Sequence, residues 1–346
     1  MTNELVRAET QTALTVGQIA NGVAARSTFA DYRSRKAANT LKRHDADLSL
    51  FADYLADVGA PASGDLATAP DAWQGITWGL IEGFIRWQLH KGFAVSSVNM
   101  RLSTVKVYAK LAVKAGTLDK TEYSLLRAIS GYTRREAKNI NVDREAAEIP
   151  TRFERPGAKK ADPIPLSKAD AGRLKEQPDS PQGRRDSLLM CLLLDHGLRC
   201  GEVAALSVTA FDFKARTFSF YRPKVDKIQT HKMTADTLQA ARRYFDYDAP
   251  ALGPLLISTR KGGRKALDGT PGMSERAITK RVKVLGEAAG IEGLSAHDCR
   301  HCWATQAARN GTPIDRLQDA GGWSSPAMPL RYVETAKIAN SGVRLE

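Results

Sequence analysis

Hydrophobic residues recur along this chain at helical spacing over most of its length, and strand-like alternation is confined to one short stretch. Residues 35–60 put Leu41, Leu48, Phe51, Tyr54 and Leu55 at helical spacing, and Gly59 followed by Pro61 supplies a stop. A second helix is predicted over 78–90. A third covers 96–115, where Leu102, Val105, Ala109 and Ala112 form an apolar stripe while Lys106, Lys110 and Lys114 repeat every four residues on another side. Residues 187–197 (SLLMCLLLDHG) are apolar nearly all round, as expected of a helix enclosed by its neighbours. Ser167 is placed to cap the helix opening in SKADAGRLKE, and helices resume from Ala235 and Ser274. The strand signal lies at 217–221 with a return over 230–234, a hairpin bracketing the polar turn PKVDKIQ. Residues 139–165 lose periodicity, and IPTRFERPGAKKADPIP is dense in proline, glycine and charge.

These patterns predict a mainly α protein with a small β-sheet. A flexible polar tail (1–25) precedes a helical domain (26–138), a linker (139–165) and a larger mixed α+β domain (166–346). Two domains also suit 346 residues. The longest suspicious stretch, 72–81, is ten uncharged residues that include Gln and Gly, far short of the roughly 20 that a membrane span requires. No membrane association is expected, and four thinly spread cysteines fit a reduced, cytoplasmic setting.

Charge changes the picture. The chain holds 51 Lys plus Arg against 38 Asp plus Glu, a net +13 with a pI near 9.6, which points to a polyanionic partner. The excess is uneven: residues 1–90 carry 8 basic and 10 acidic side chains, residues 91–138 carry 10 basic and 3 acidic. A lysine row on one helix is as often a solvated face. Here Arg127, Arg134, Arg135 and Lys138 extend it with little acid between, which suits tracking along phosphates. Arg101, Lys106, Lys110, Lys114, Arg134 and Arg135 are therefore the expected DNA-contacting residues, and the helix of 96–115 and the region 262–276 the candidate elements for reading bases.

Four segments of the second domain carry candidate chemistry: LDHGLRCGEVAAL around Arg199, RPKVDK around Lys224, AHDCRH at 296–301 and GGWSSPAMPLRY at 321–332. Singly, each has an ordinary explanation. Arg199 three residues before Glu202 reads as a structural ion pair, His297 and Arg300 as a helix-face pair, Lys224 as a solvated lysine and Tyr332 as a packed tyrosine. Their order and spacing reweigh this. Arg199, Glu202, Lys224, His297-x-x-Arg300, Trp323 and, nine residues on, Tyr332 closely resemble the active-site series of the tyrosine recombinases, the phage integrase family. Trp323 after Ala-Gly-Gly looks like the Cre subgroup. Residues 89–116 (LHKGFAVSSVNMRLSTVKVYAKLAVKAG) look like the helix-turn-helix-like part of the family's core-binding domain, so the likeness covers roughly 35–346.

The resemblance implies a two-domain C-shaped clamp of a helical, SAM-like core-binding domain and a mixed α+β catalytic domain. It implies a site-specific recombinase in which Tyr332 forms a 3′-phosphotyrosyl intermediate and exchange proceeds through a Holliday junction, with no cofactor, metal or ATP. The partner would be double-stranded DNA bearing an inverted-repeat site, bound by four protomers in synapsis, with the tail after Tyr332 (333–346) docking on a neighbouring subunit through Ile338, Val343 and Leu345. Arg199 and Arg300 would clamp the phosphate and Lys224 would protonate the departing oxygen. His297 and Trp323 would donate hydrogen bonds or move protons, and Glu202 would hold Arg199 and His297 in place. Planar guanidinium groups match the oxygens of a five-coordinate phosphorane whatever the family.

Some choices stay open at this level. Lys227 competes with Lys224 for the active site. His301 reads as a packing residue, and His297, Cys299, His301 and Cys302 make a poor tetrahedral zinc set. Cys200 and Cys299 adjoin the two arginines, where buried thiols are the ordinary expectation. A type IB topoisomerase shares the nucleophile and its partners. A catalytically silent DNA-binding protein of the same fold is the third reading, against which the intact residue series speaks.

Overall fold

The computed structural model describes residues 2–149, 163–258 and 271–336, with side chains over 15–149, 163–258 and 271–332. The chain divides into two compact units, residues 1–159 and 160–346.

The first unit is all helical: α1 (Thr2–Ser34), α2 (Ala38–Asp57), α3 (Trp78–His90), α4 (Val95–Ala115), α5 (Lys120–Ala128) and α6 (Arg134–Ala146). The central element is α4. Val98, Val105, Tyr108, Ala109 and Ala112 are fully enclosed on it, and Gly116 ends it in the left-handed conformation. Phe51, Trp73 and Phe84 form the aromatic centre of the core, with ring centroids 5.0–6.1 Å apart. The Asp119 carboxylate caps α5, and Thr133 with Glu136 closes a capping box on α6.

Three sequence expectations are corrected here. Of residues 1–25, read as a flexible tail, 2–25 lie on α1. The stretch 139–146, assigned to the linker, completes α6, where Arg144 reaches back to the carbonyls of Leu89 (2.7 Å) and Phe93 (2.8 Å). A polar composition suppressed the helical signal in both places. Most of the remaining linker, 150–162, lies outside the described residues. The third concerns Arg101 and Lys106. Arg101 points inward, donating to Gln88 Oε1 (3.2 Å), stacking on Phe93 (4.4 Å) and lying 3.9 Å from Asp47. Lys106 donates to the carbonyls of Arg127 and Ile129, tying α4 to the end of α5. A four-residue repeat on a helix facing several neighbours does not distinguish solvent from a polar interior contact.

The second unit is built on α8 (Pro181–Leu194), preceded by α7 (Lys168–Lys175) and followed by the short α9 (Cys200–Ala204). Leu188 to Leu193 are all enclosed, as the unbroken apolar run predicts. Strands β1 (Phe211–Asp212), β2 (Thr217–Arg222) and β3 (Lys227–Lys232) form an antiparallel sheet in that order. Arg222 pairs with Lys227, so the turn is only Pro223 to Asp226, three residues shorter than the sequence suggested. Then come α10 (Ala235–Tyr247), α11 (Glu275–Ala288), α12 (Ala296–Arg309), α13 (Ile314–Gly321) and α14 (Ala327–Ala336). Ser167, Ser274 and Ser295 cap α7, α11 and α12. Among the described residues no helix is long and apolar enough to cross a membrane.

Two imidazoles lie beneath the sheet. His196 contacts Thr237 Oγ1 (3.0 Å) and His231 packs edge-on to Phe220. Burial pushes them down to about 4 and about 3. Unfolded histidine takes its proton near pH 6.5 and the folded rings only well below, so the unfolded chain binds more protons in between and stability falls as pH drops through that window. The unfolding free energy should therefore be lower at pH 5 than at pH 7.5, by about 2 kcal/mol for each ring at most, with a lower denaturant midpoint. The difference should shrink in His231→Leu, as urea titrations at the two pH values would show.

Candidate active site

The second unit holds a cavity of about 650 Å³ whose wall draws on every catalytic segment singled out in the sequence: Arg199, Lys224, His297, Arg300, Trp323 and Tyr332 all line it. Glu202 stands behind it, 4% exposed.

Each residue arrives by a definable local device. Gly197, in the left-handed conformation after α8, turns the chain so that Arg199 stands at the head of α9, and a Cβ there would lie 2.2 Å from the Trp303 ring. Glu202 accepts from the Arg199 backbone N–H (2.8 Å) and from its guanidinium (2.7 Å). The Ser295–Asp298 capping box starts α12, exposing His297 in the first turn and burying Arg300. Arg300, 3% exposed, donates to the carbonyls of Gly197 and Gly321 (2.5 Å for the latter) and lies 4.6 Å over the Trp323 ring. Packing of α14 on α12 puts Tyr332, 2% exposed, 4.7 Å from His301 and 5.5 Å from Trp323, ring centre to ring centre.

Lys224 sits at the tip of the β2–β3 turn and faces the cavity. Lys227 instead pairs with Asp319 (3.0 Å), which separates the two lysines that the sequence left in competition. Trp323 stacks on Trp303 (6.0 Å) and is seated against Gly321, where a Cβ would fall 2.0 Å from its ring.

Sequence reasoning missed Arg222. It is fully buried, donating to both Glu202 oxygens (3.2 and 3.4 Å) and to the carbonyls of Gly321 (2.9 Å) and Ala320 (2.8 Å). A signal existed, because the two-residue period of Phe218 and Phe220 carries Arg222 to the same inward face.

The electrostatics follow from this census. Two guanidinium groups, of Arg199 and Arg222, pair with the carboxylate of Glu202, whose charge also acts through space on Arg300. Burial, then Arg199 and Arg222, hold Arg300 down at about 9, far below an ordinary arginine. Burial raises Tyr332, against which Arg300, Arg199 and Arg331 pull its phenol downward. A group in this cavity that brought negative charge would relieve the repulsion among the arginines. The four cysteines are free thiols, and burial raises Cys299 and Cys200. Among the described residues no group of three or more His, Cys, Asp or Glu is placed to hold a metal ion.

Of the expected DNA contacts on the first unit, Lys110 and Lys114 on α4 and Arg134 and Arg135 in the first turn of α6 are exposed. Cations at a helix N-terminus do not stabilise that helix, so helix stability does not account for Arg134 and Arg135. In the candidate base-reading region 262–276, residues 262–270 lie outside the described residues.

The sequence profile of the phage integrase family matches residues 166–338. The tyrosine recombinase XerD of Neisseria meningitidis serogroup B is 27% identical over 233 residues, 64% of this chain and 75% of that protein. Two solved structures share the fold. The Tn1549 transposon integrase in complex with transposon right end DNA is 15% identical with a TM-score of 0.60, over 89% of this chain and 94% of that one. The lambda integrase dimer bound to a core site is 14% identical with a TM-score of 0.60, over 92% and 96%.

The seats of Trp323 and Arg300 depend on Gly321 having no side chain. Gly321→Ala should cost about 1–3 kcal/mol through overpacking. It should also shift the tryptophan emission spectrum as Trp323 leaves Arg300, measured by thermal unfolding and fluorescence on the same protein.

Proposed function

The chain belongs to the phage integrase family of tyrosine-type site-specific recombinases, and on that premise we propose that it cleaves and rejoins double-stranded DNA through a covalent link to Tyr332. The observation that carries this reading is the surplus of buried guanidinium charge beside a buried phenol. Arg199 and Arg300 line a cavity with Arg222 and its partner Glu202 behind them, a charge surplus that calls for an anion, and the planar forks of Arg199 and Arg300 suit the two nonbridging oxygens of a phosphodiester.

In this mechanism Tyr332 Oη attacks the phosphorus, the bond to the 5′ oxygen breaks, and a 3′-phosphotyrosyl ester forms. Negative charge that grows on the nonbridging oxygens is met by Arg199 and Arg300. The 5′ oxygen leaves as a hydroxyl with a proton from Lys224, while His297 assists the departure of the phenol proton. Trp323, stacked on Trp303, supplies an indole N–H and one wall of the cavity. A 5′-hydroxyl from a partner strand then attacks the tyrosyl ester and releases Tyr332. Ester is exchanged for ester, so ATP hydrolysis need not drive the cycle and no metal is called for.

Two rounds of such exchange on paired duplexes pass through a Holliday junction and require four protomers, each on one half of an inverted-repeat site. Lys110, Lys114, Arg134 and Arg135 supply phosphate contacts; of the tail expected to dock on a neighbouring subunit, 333–346, residues 337–346 with Ile338, Val343 and Leu345 lie outside the described residues. Trp323 after Ala-Gly-Gly favours a Cre-like enzyme acting on a simple site. Four free thiols suit a reducing cytoplasm.

The test is capture of protein-linked DNA: wild type and Tyr332→Phe are incubated with a library of source DNA, denatured in detergent, and the covalent adducts are sequenced. Adducts should appear with wild type alone and converge on one inverted repeat. Scattered adducts would indicate topoisomerase-like relaxation, and none, despite salt-sensitive binding, a silent DNA-binding protein. Arg300→Gln should lower adduct yield by about 100-fold or more while the protein stays bound to DNA.

A further inference from the structure

The hairpin that carries Lys224 is fastened from both of its strands to one short segment, the end of α13. From β2, Arg222 donates to the carbonyls of Ala320 and Gly321. From β3, Gln229 Nε2 donates to the Asp319 carbonyl (2.6 Å) and Lys227 Nζ to its carboxylate (3.0 Å). Four bonds thus converge on three consecutive residues, 319–321. Three of the acceptors are last-turn carbonyls, that of Asp319 also accepting from the Gly322 N–H (2.9 Å), at the end where the helix dipole favours cations. Gly322 then turns left-handed (φ 58°) and the chain reaches Trp323.

The bland account is that Arg222 and Gln229 merely satisfy a helix terminus. It does not explain why both strands do so while the turn between them, Pro223 to Asp226, extends beyond the fastening with Lys224 exposed at the cavity. Only Pro223 separates Lys224 from the Arg222 anchor, and proline fixes its own φ. Two peptide units, at most about 7.6 Å between Cα atoms, and one of them stiffened, make a short tether. A shift of the helix end would therefore carry Lys224 with it.

Resting on the phosphotyrosyl reading above, we infer that Arg222, Gln229 and Lys227 form a latch that positions Lys224 for proton delivery to the departing 5′ oxygen. The same latch makes that position depend on the segment 319–323 that seats Trp323. The three are positioning residues: they act through Lys224 and touch no reacting atom. Glu202 gives Arg222 a second bond toward Arg199, so the latch joins the acid side of the site to the arginine clamp.

Because a sulfur leaving group departs without a proton, replacing the bridging 5′ oxygen with sulfur separates proton delivery from every other contribution. The probe is a nicked duplex built from the captured half-site, made with either a phosphodiester or a 5′-bridging phosphorothiolate at the scissile position. Arg222→Lys, Gln229→Ala, Lys227→Ala and Lys224→Ala are compared in single-turnover adduct formation. On the oxygen ester, Lys224→Ala should lose about 100-fold or more, and Arg222→Lys and Gln229→Ala about 10-fold. Half-site affinity should stay within about twofold, and Lys227→Ala, at an exposed pair, should lose least. On the sulfur ester all four should come within about twofold of wild type.

Equal losses on both esters in the latch variants, with Lys224→Ala rescued by sulfur, would overturn the latch and assign these residues to the clamp or the fold. Undiminished rates in Arg222→Lys and Gln229→Ala on the oxygen ester would overturn it as well. Failure of sulfur to rescue Lys224→Ala, or no adduct from wild type on either ester, would instead overturn the parent reading and the latch with it. Lys227→Ala and Gln229→Ala, which leave the buried Arg222–Glu202 pair intact, keep the test informative should Arg222→Lys fold poorly.

Discussion

Glu202 is one carboxylate paired with two guanidinium groups, those of Arg199 and Arg222, with a third, that of Arg300, reached only through space, and the arrangement of the site follows from how the remaining charge is accommodated. Burying a charge is costly unless it is hydrogen-bonded. Here the N–H donors are met largely by backbone carbonyls, those of Gly197, Ala320, Gly321 and Gly322. Carbonyls satisfy the hydrogen bonds without cancelling the charge. More carboxylates would have neutralised the guanidinium groups, so the carbonyl solution leaves positive potential facing the cavity.

That solution dictates the glycines. Carbonyls can approach buried arginines only where no side chain intervenes, and the approach is tight at three positions. A Cβ at Gly197 would enter the Trp303 ring, one at Gly321 the Trp323 ring, and one at Gly322 the aliphatic part of Arg222. The two tryptophans stack on each other and Arg300 lies over both rings, at 5.9 and 4.6 Å, so Trp323, which helps enclose the arginine, also walls the cavity beside Tyr332. The enclosed α8 beneath makes this crowding rigid, since a helix buried on all sides offers little room to adjust.

The helical unit divides its basic residues into two kinds. Arg101 and Arg144 are interior, one joining α4 to Gln88 and Asp47, the other fastening α6 to the α3–α4 turn. Lys106 closes the end of α5. Lys110, Lys114, Arg134 and Arg135 are among the basic side chains that stay exposed on this unit, where a polyanion would meet them.

Periodicity and spacing by themselves determined the mainly helical class, the small hairpin, the two-domain division and the series from Arg199 to Tyr332, because each is written in local pattern or in order along the chain. The buried face of α4 and the all-round apolar α8 were legible for the same reason. Tertiary structure alone decided which lysine faces the cavity, since Asp319, 92 positions beyond Lys227, draws that residue away. It also turned Arg101 and Lys106 inward and placed Arg222 beneath Gly321. A one-dimensional pattern assigns a residue to a face of its own element. Which partner that face meets is settled by packing between elements far apart in the chain, and the chemistry of this site lies in those meetings.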